Sequence, residues 1–169
     1  MIESQKFFTS HKFEARELPP EWEFYEQWLA KLHLTAGQKN WPKPLHSLQN
    51  IDAVYFILVN SEEMRKLNLS YAEKDSATDV LTFHYEPQFK GDQNVVEIYI
   101  CLEIAIQQAS QHKTDLSGEL ALLSVHGLIH ACGIDHEQSE IEMQLTRNLE
   151  REVLNLTGLP QVPALSEYE

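Results

Sequence analysis

Between Leu120 and Cys132 the chain carries only three polar side chains, Ser124, His126 and His130. A stretch that is apolar almost all round a 3.6-residue period is a helix with other elements packed on every side. The remainder of the chain must therefore be built to enclose it. His126 and His130, four residues apart, stand on one face of that helix, and buried imidazoles need partners supplied from within the fold. Gly133 follows, suited to the left-handed conformation that stops a helix. His136 comes next, where a bend can return it toward the pair. The spacing H-x3-H-x2-G-x2-H offers three converging nitrogens with a fourth position open, the ligand set of a catalytic zinc site rather than a closed structural one. One zinc ion on His126, His130 and His136 is therefore expected, and three imidazoles also suit nickel or copper.

What is missing from this pattern matters equally. Zinc peptidases that share the spacing place Glu directly after the first His, as general base. Gly127 stands there instead, which argues against peptide hydrolysis by that route. Asp135 has two readings of equal weight: it orients a ligand imidazole from behind, or it caps a turn before the next helix. Glu137, Glu140 and Glu142 read as a solvated face near a helix start, and Met143 as core.

Elsewhere the pattern is that of a mixed protein. Residues 1–19 read as a strand or loose arm. A helix follows Pro19-Pro20, with Trp22, Tyr25, Trp28, Leu29 and Leu32 as its buried stripe. Residues 35–50 read as a long loop punctuated by Gly, Pro and Asn. Asp52 to Val59 is a buried strand. Ser61 resembles an N-cap opening a short helix through Leu67 and Leu69, and a polar loop follows from Tyr71 to Asp79. Strands are expected at Val80 to Phe83 and Val95 to Cys101, then helices from Leu102 to His112 and from Asp115 onward. Strands early and long helices late imply an α+β (mixed α/β) fold: one small mixed sheet packed with helices, the metal-binding helix in the core. With 169 residues, one domain over 1–169 is expected. Cys101 and Cys132 read as reduced thiols. No apolar run approaches the length of a membrane span, and the first residues lack the apolar core of a signal peptide, so a cytoplasmic protein without membrane partners is expected.

The segment from His126 to His136 resembles the signature of the YbeY family, bacterial metal-dependent endoribonucleases of ribosomal RNA maturation. A second block is similar to the family's L-N-x-x-Y-R-x-K-D-x-x-T-D-V-L-S-F stretch: Leu67-Asn68-Leu69-Ser70-Tyr71, then Lys74-Asp75, then Thr78-Asp79-Val80-Leu81-Thr82-Phe83. The likeness covers about residues 50–156, and 1–49 resemble the family only loosely. Two departures stand out. The family's Arg after the Tyr is Ala72 here, and its Gly-Asp before the third strand's Ile is Val96-Glu97 ahead of Ile98, which keeps the acid approximately and loses the glycine. The family's arginine is thought to bind phosphate or stabilise developing charge, and Ala72 can do neither.

The resemblance implies a zinc-dependent, single-strand-specific endoribonuclease acting in late ribosomal RNA maturation and ribosome quality control. Its partners would be ribosomal RNA and the ribosomal subunit. The alternative is a ribosome-associated factor with structural zinc and weak or no cleavage. Charge bears on both readings, because Lys and Arg number 13 against 26 acids, a net of −13. Phosphate contacts need Lys and Arg to displace counterions, yet between Gly91 and Thr146 only Lys113 stands against nine acids. Any RNA path is expected to use Arg65, Lys66, Lys74 and Lys90, with weak affinity and steep salt dependence.

Overall fold

The run from Ala53 to Val59 forms β2, an inner strand whose Val54, Phe56 and Leu58 are buried. In the computed structural model, which describes residues 6–135, 137 and 139–164, it belongs to a four-stranded sheet ordered β1-β2-β4-β3. β1 (Phe7–His11) and β4 (Val95–Cys101) both run parallel to β2. β3 (Val80–Tyr85) runs antiparallel to β4 and forms one edge of the sheet. The mixed sheet and its helices make the α+β architecture expected.

α4 (Leu116–Ala131) lies across one sheet face, and every residue from Gly118 to Ile129 is buried. α1 (Glu21–Ala36), α3 (Leu102–His112) and α5 (Glu140–Leu156) pack around it. Its start is fixed by Asp115, whose Oδ1 accepts the Gly118 N–H at 2.7 Å. Its end is fixed by Gly133, at φ +82°, where the left-handed backbone favours glycine. Inside the helix, the Tyr25 hydroxyl lies 2.7 Å from Ser124 Oγ, which in turn donates to Leu120 O. The five-residue stripe of α1 is buried as its spacing implied.

Three local readings need correction. Residues 43–50 are not plain loop: Lys43–Asn50 winds into 3-10 helix with Leu45 and Leu48 buried, following Pro42, whose ring presets the backbone there. The cap of α2 (Ser61–Ala72) is Asn60, whose Oδ1 accepts the Glu63 N–H at 2.8 Å. Ser61 instead donates to Glu103 Oε2 at 2.6 Å. α2 also runs further than read from the sequence, to Ala72, because the left-handed Glu73 at φ +58° supplies the stop. Among the described residues no helix is long and apolar enough to cross a membrane. Both cysteines are free thiols.

Gly127 lets α4 approach the sheet. A Cβ there would lie 2.7 Å from Ile98 Cγ2 on β4 and 3.2 Å from Thr82 Oγ1 on β3. The position that carries the general base in zinc peptidases thus faces the sheet and has no room for any side chain. Gly127→Ala is expected to lower stability by about 1–3 kcal/mol through overpacking, read as a lower urea midpoint at unchanged slope.

A buried acid completes the core polarity. Glu119 is fully buried, its Oε2 held 3.0 Å from His112 Nδ1 and 3.3 Å from Thr114 Oγ1. Burial, with Asp79 adding to it, raises its carboxyl above the usual range. A raised acid binds its proton more tightly when folded, so the stability it contributes is present at low pH and is lost as pH rises. The stability of Glu119→Gln relative to the native chain should therefore increase from about pH 4.3 upward, and denaturation across pH checks it.

Candidate active site

The last two turns of α4 present His126 and His130 toward one cleft. Their rings lie 4.7 Å apart between centroids, and the two Nε2 atoms are 3.1 Å from each other. Nitrogens bound tetrahedrally at 2.0–2.1 Å from a single ion stand roughly 3.3 Å apart. The pair is thus spaced for a shared cation, and the same spacing closes a hydrogen bond when His130 carries its proton on Nε2. Behind His126, Glu150 Oε1 lies 2.6 Å from Nδ1. That contact holds the proton on Nδ1 and leaves the Nε2 lone pair facing the cleft.

α5 delivers this carboxylate. Its core-facing stripe is Thr146, Leu149, Glu150, Val153 and Leu154, and Ser139 caps its start by accepting the Glu142 N–H at 3.1 Å. Glu150 was missed from the sequence. The available signal was an acid at a core position of an amphipathic pattern, a placement acids rarely take unpaired.

The cleft has a volume of about 780 Å³. One wall is β3 with its flanks, contributing Asp79, Thr82, His84 and Glu86; the other is the end of α4, with His126, His130 and Cys132. Asp135 and Glu137 also line the cleft. Thr82 Oγ1 reaches Gly127 O at 3.4 Å and ties the walls together. Asp79 is held rigidly: Oδ1 accepts the Val80 N–H at 2.8 Å and Oδ2 accepts from Gln108 Nε2 at 3.3 Å. Burial raises the Cys132 thiol above its ordinary pKa, so it is no activated nucleophile.

Of the three expected ligands, the structure brings His126 and His130 together, and His136 lies outside the described residues. Among the described residues no group of three His, Cys, Asp or Glu side chains converges as a ligand set. Asp135 closes a turn by accepting the Glu137 N–H on Oδ1 at 3.0 Å, while the cap of α5 is Ser139. Glu140 and Glu142 occupy the first turn of α5, as read from the sequence. Met143 is half-buried.

The second sequence block lands differently from expectation. Ala72 is exposed at the end of α2 and does not line the cleft. Its neighbour Tyr71 packs on Phe83, ring centroids 4.7 Å apart. Arg65 pairs with Asp75, and Lys66 lies 3.7 Å from Glu62. None of Arg65, Lys66, Lys74 or Lys90 lines the cleft, and among the described residues neither does any other Lys or Arg. The cleft is acid-walled.

An α+β core with an imidazole pair on its buried helix, backed by a carboxylate and open to a cleft under a sheet edge, defines a class of histidine-centred clefts built for polar chemistry. A family model described as Endoribonuclease YbeY matches residues 17–158, and the chain belongs to that family. The match takes in α1 and the 3-10 segment, more of the N-terminal part than the motifs alone had covered. Curated relatives bear the same name. The Finegoldia magna protein is 37% identical over 102 residues, covering 60% of this chain and 66% of that one. The Sulfurovum protein is 36% identical over 123 residues, covering 70% and 80%. A solution structure from Thermotoga maritima aligns over 88% of this chain and 89% of its own, at 22% identity and a TM-score of 0.49.

The His126–Glu150 contact is open to direct test. Glu150→Ala removes the acceptor from a buried imidazole and should cost roughly 1–3 kcal/mol, with Glu150→Gln costing less because its amide oxygen still accepts. Urea denaturation of the three proteins orders them.

Proposed function

We propose that the chain is a single-strand-specific endoribonuclease of the bacterial cytoplasm. Its substrate is ribosomal RNA, met on the ribosomal subunit during late maturation and quality control. The observation that carries this reading is the pair of cleft-facing imidazoles 3.1 Å apart, set on the family's signature helix and backed by Glu150. One zinc ion is its cofactor, held by His126, His130 and His136. Two neutral imidazole nitrogens at this spacing fit such an ion, and the acid behind His126 fits the role of a carboxylate orienting a ligand ring.

Zinc bound there would polarise a phosphoryl oxygen and offset the charge that develops on it. The chain's own groups do the rest. Glu150 fixes the tautomer and direction of His126, and Thr82 locks β3 against α4, so the cleft width is set before substrate arrives. Gly127 leaves no general base beside His126. The proton of the attacking group, a water or the ribose 2′-hydroxyl, therefore passes to another acceptor. A 2′,3′-cyclic phosphate at the product end identifies the ribose as nucleophile. The alternative of a non-cleaving ribosome-associated factor is not favoured, since the curated relatives are named as endoribonucleases.

Elemental analysis of purified protein should find one zinc per chain. His126→Ala, His130→Ala and His136→Ala should each lose both the metal and the cleavage of a single-stranded ribosomal RNA fragment, with a matched duplex uncut throughout. Glu150→Gln should weaken zinc by about 10–100-fold while leaving the ligands in place. Full metal loading with no cleavage by the native chain would overturn the proposal. Cleavage unchanged in His130→Ala would do so equally.

A further inference from the structure

The cleft wall opposite the imidazoles is a strand paired on one side only. β3 ends the sheet order, and its register with β4 pairs Thr82 with Ile98 and His84 with Val96. The Cys101 N–H donates to Asp79 O at 2.9 Å, which marks Asp79 and Cys101 as a hydrogen-bonded pair. In an antiparallel ladder such pairs alternate with pairs that turn their N–H and C=O groups away. Leu81, Phe83 and Tyr85 therefore bond to β4, while the main-chain groups of Val80, Thr82 and His84 point outward at the sheet edge. The Val80 N–H is taken by Asp79 Oδ1. Among the described residues nothing bonds to the outward N–H and C=O of Thr82 or His84. Val80, Thr82, His84 and Glu86 all line the cleft, as do Asp79 and Leu81.

An unpaired edge that runs along a cleft is a template for an added strand. Its charge narrows the occupant. Asp79 and Glu86 stand just before and just after β3, Asp135 and Glu137 also line the cleft, and among the described residues no Lys or Arg does. A polyanion gains nothing from these carboxylates, whereas Lys or Arg side chains of an extended segment would meet Asp79 and Glu86 near the two ends of the edge and Asp135 and Glu137 elsewhere in the cleft lining. We infer that the β3 edge takes up an extended basic segment of a partner protein as a fifth strand, hydrogen-bonded to the outward groups of Thr82 and His84. This edge shares the cleft with the imidazoles, on the opposite wall, and the inference does not rest on the endoribonuclease reading.

The probe is a blocked ten-residue peptide of alternating Arg and Thr, added to the native chain. Amide hydrogen exchange should slow by tenfold or more at Thr82 and His84. Leu81 and Phe83, already bonded to β4, should change little. Binding by titration calorimetry should fail for the same peptide with Glu in place of Arg, and for one N-methylated at every second residue. His84→Pro removes one outward N–H and no ladder bond, a change edge strands tolerate, and should weaken the peptide by tenfold or more while far-UV circular dichroism stays native. No protection at Thr82 and His84 would overturn the inference, as would equal binding of the N-methylated peptide. Protection of those amides by a single-stranded ten-nucleotide RNA and not by the peptide would assign the edge to RNA and overturn it also. All these readouts are binding measurements, so a chain that cuts no RNA leaves them unaffected.

Discussion

The structure depends on the close approach of α4 to the sheet at Gly127. Without a Cβ there, the helix sits against Ile98 and Thr82 near contact distance, and its other faces are covered by α1, α3 and α5. That enclosure makes His126 buried, and burial makes Glu150 necessary, because an imidazole removed from water needs an acceptor for Nδ1. The direction of Nε2 into the cleft follows from that contact. Core packing and site chemistry are here one constraint: the helix that cannot be moved is the one that aims the ring.

The same constraint explains why this cleft resembles a zinc peptidase in spacing and differs in chemistry. Where a peptidase carries its base, this chain carries the residue on which helix–sheet packing rests. A carboxylate at 127 has no place to stand, so the acid near the imidazoles comes from α5, behind the ring instead of beside the substrate. An acid behind a ring orients it, whereas one in the cleft would take a proton. The geometry thus separates orientation from proton transfer, and leaves the latter to groups outside this pair.

Much of this was legible in the sequence, and the reasons are local. The apolar run around His126 and His130 announced a buried helix because nothing else accommodates such a face all round, and Gly133 announced its end. The one small mixed sheet was legible as well, but the parallel pairing of β2 with β4 was not, since α2 and β3 both lie between them in the chain. Other features lay in tertiary contact and were illegible. The cap of α2 falls one residue before the one read, at Asn60, and the Ser61 hydroxyl is spent on Glu103, 42 residues away. Glu150 looked like one acid among many on α5 until the helix was rotated onto α4. The lysines and arginine of the second block read as an RNA path, yet α2 carries Arg65 and Lys66 outside the cleft, where Asp75 and Glu62 stand beside them.

Electrostatics is where fold and function meet least comfortably. Phosphodiester binding usually draws on Lys and Arg, and the affinity they give falls steeply with salt because counterions are released. Here the described cleft offers imidazoles, hydroxyls, main-chain groups and carboxylates. Contacts of the first three kinds release few counterions, so the steep salt dependence inferred from composition has no structural source within the cleft. A divalent cation at the imidazoles, if bound there as proposed, would concentrate positive charge at one point and leave the remainder of a strand without attraction. Such a site discriminates by what is held in place for it. RNA already positioned on a large particle has little translational freedom left to lose, and then a single point of attraction suffices. An acid-walled cleft in a chain of net charge −13 is consistent with an enzyme that works on presented substrate and ignores free RNA.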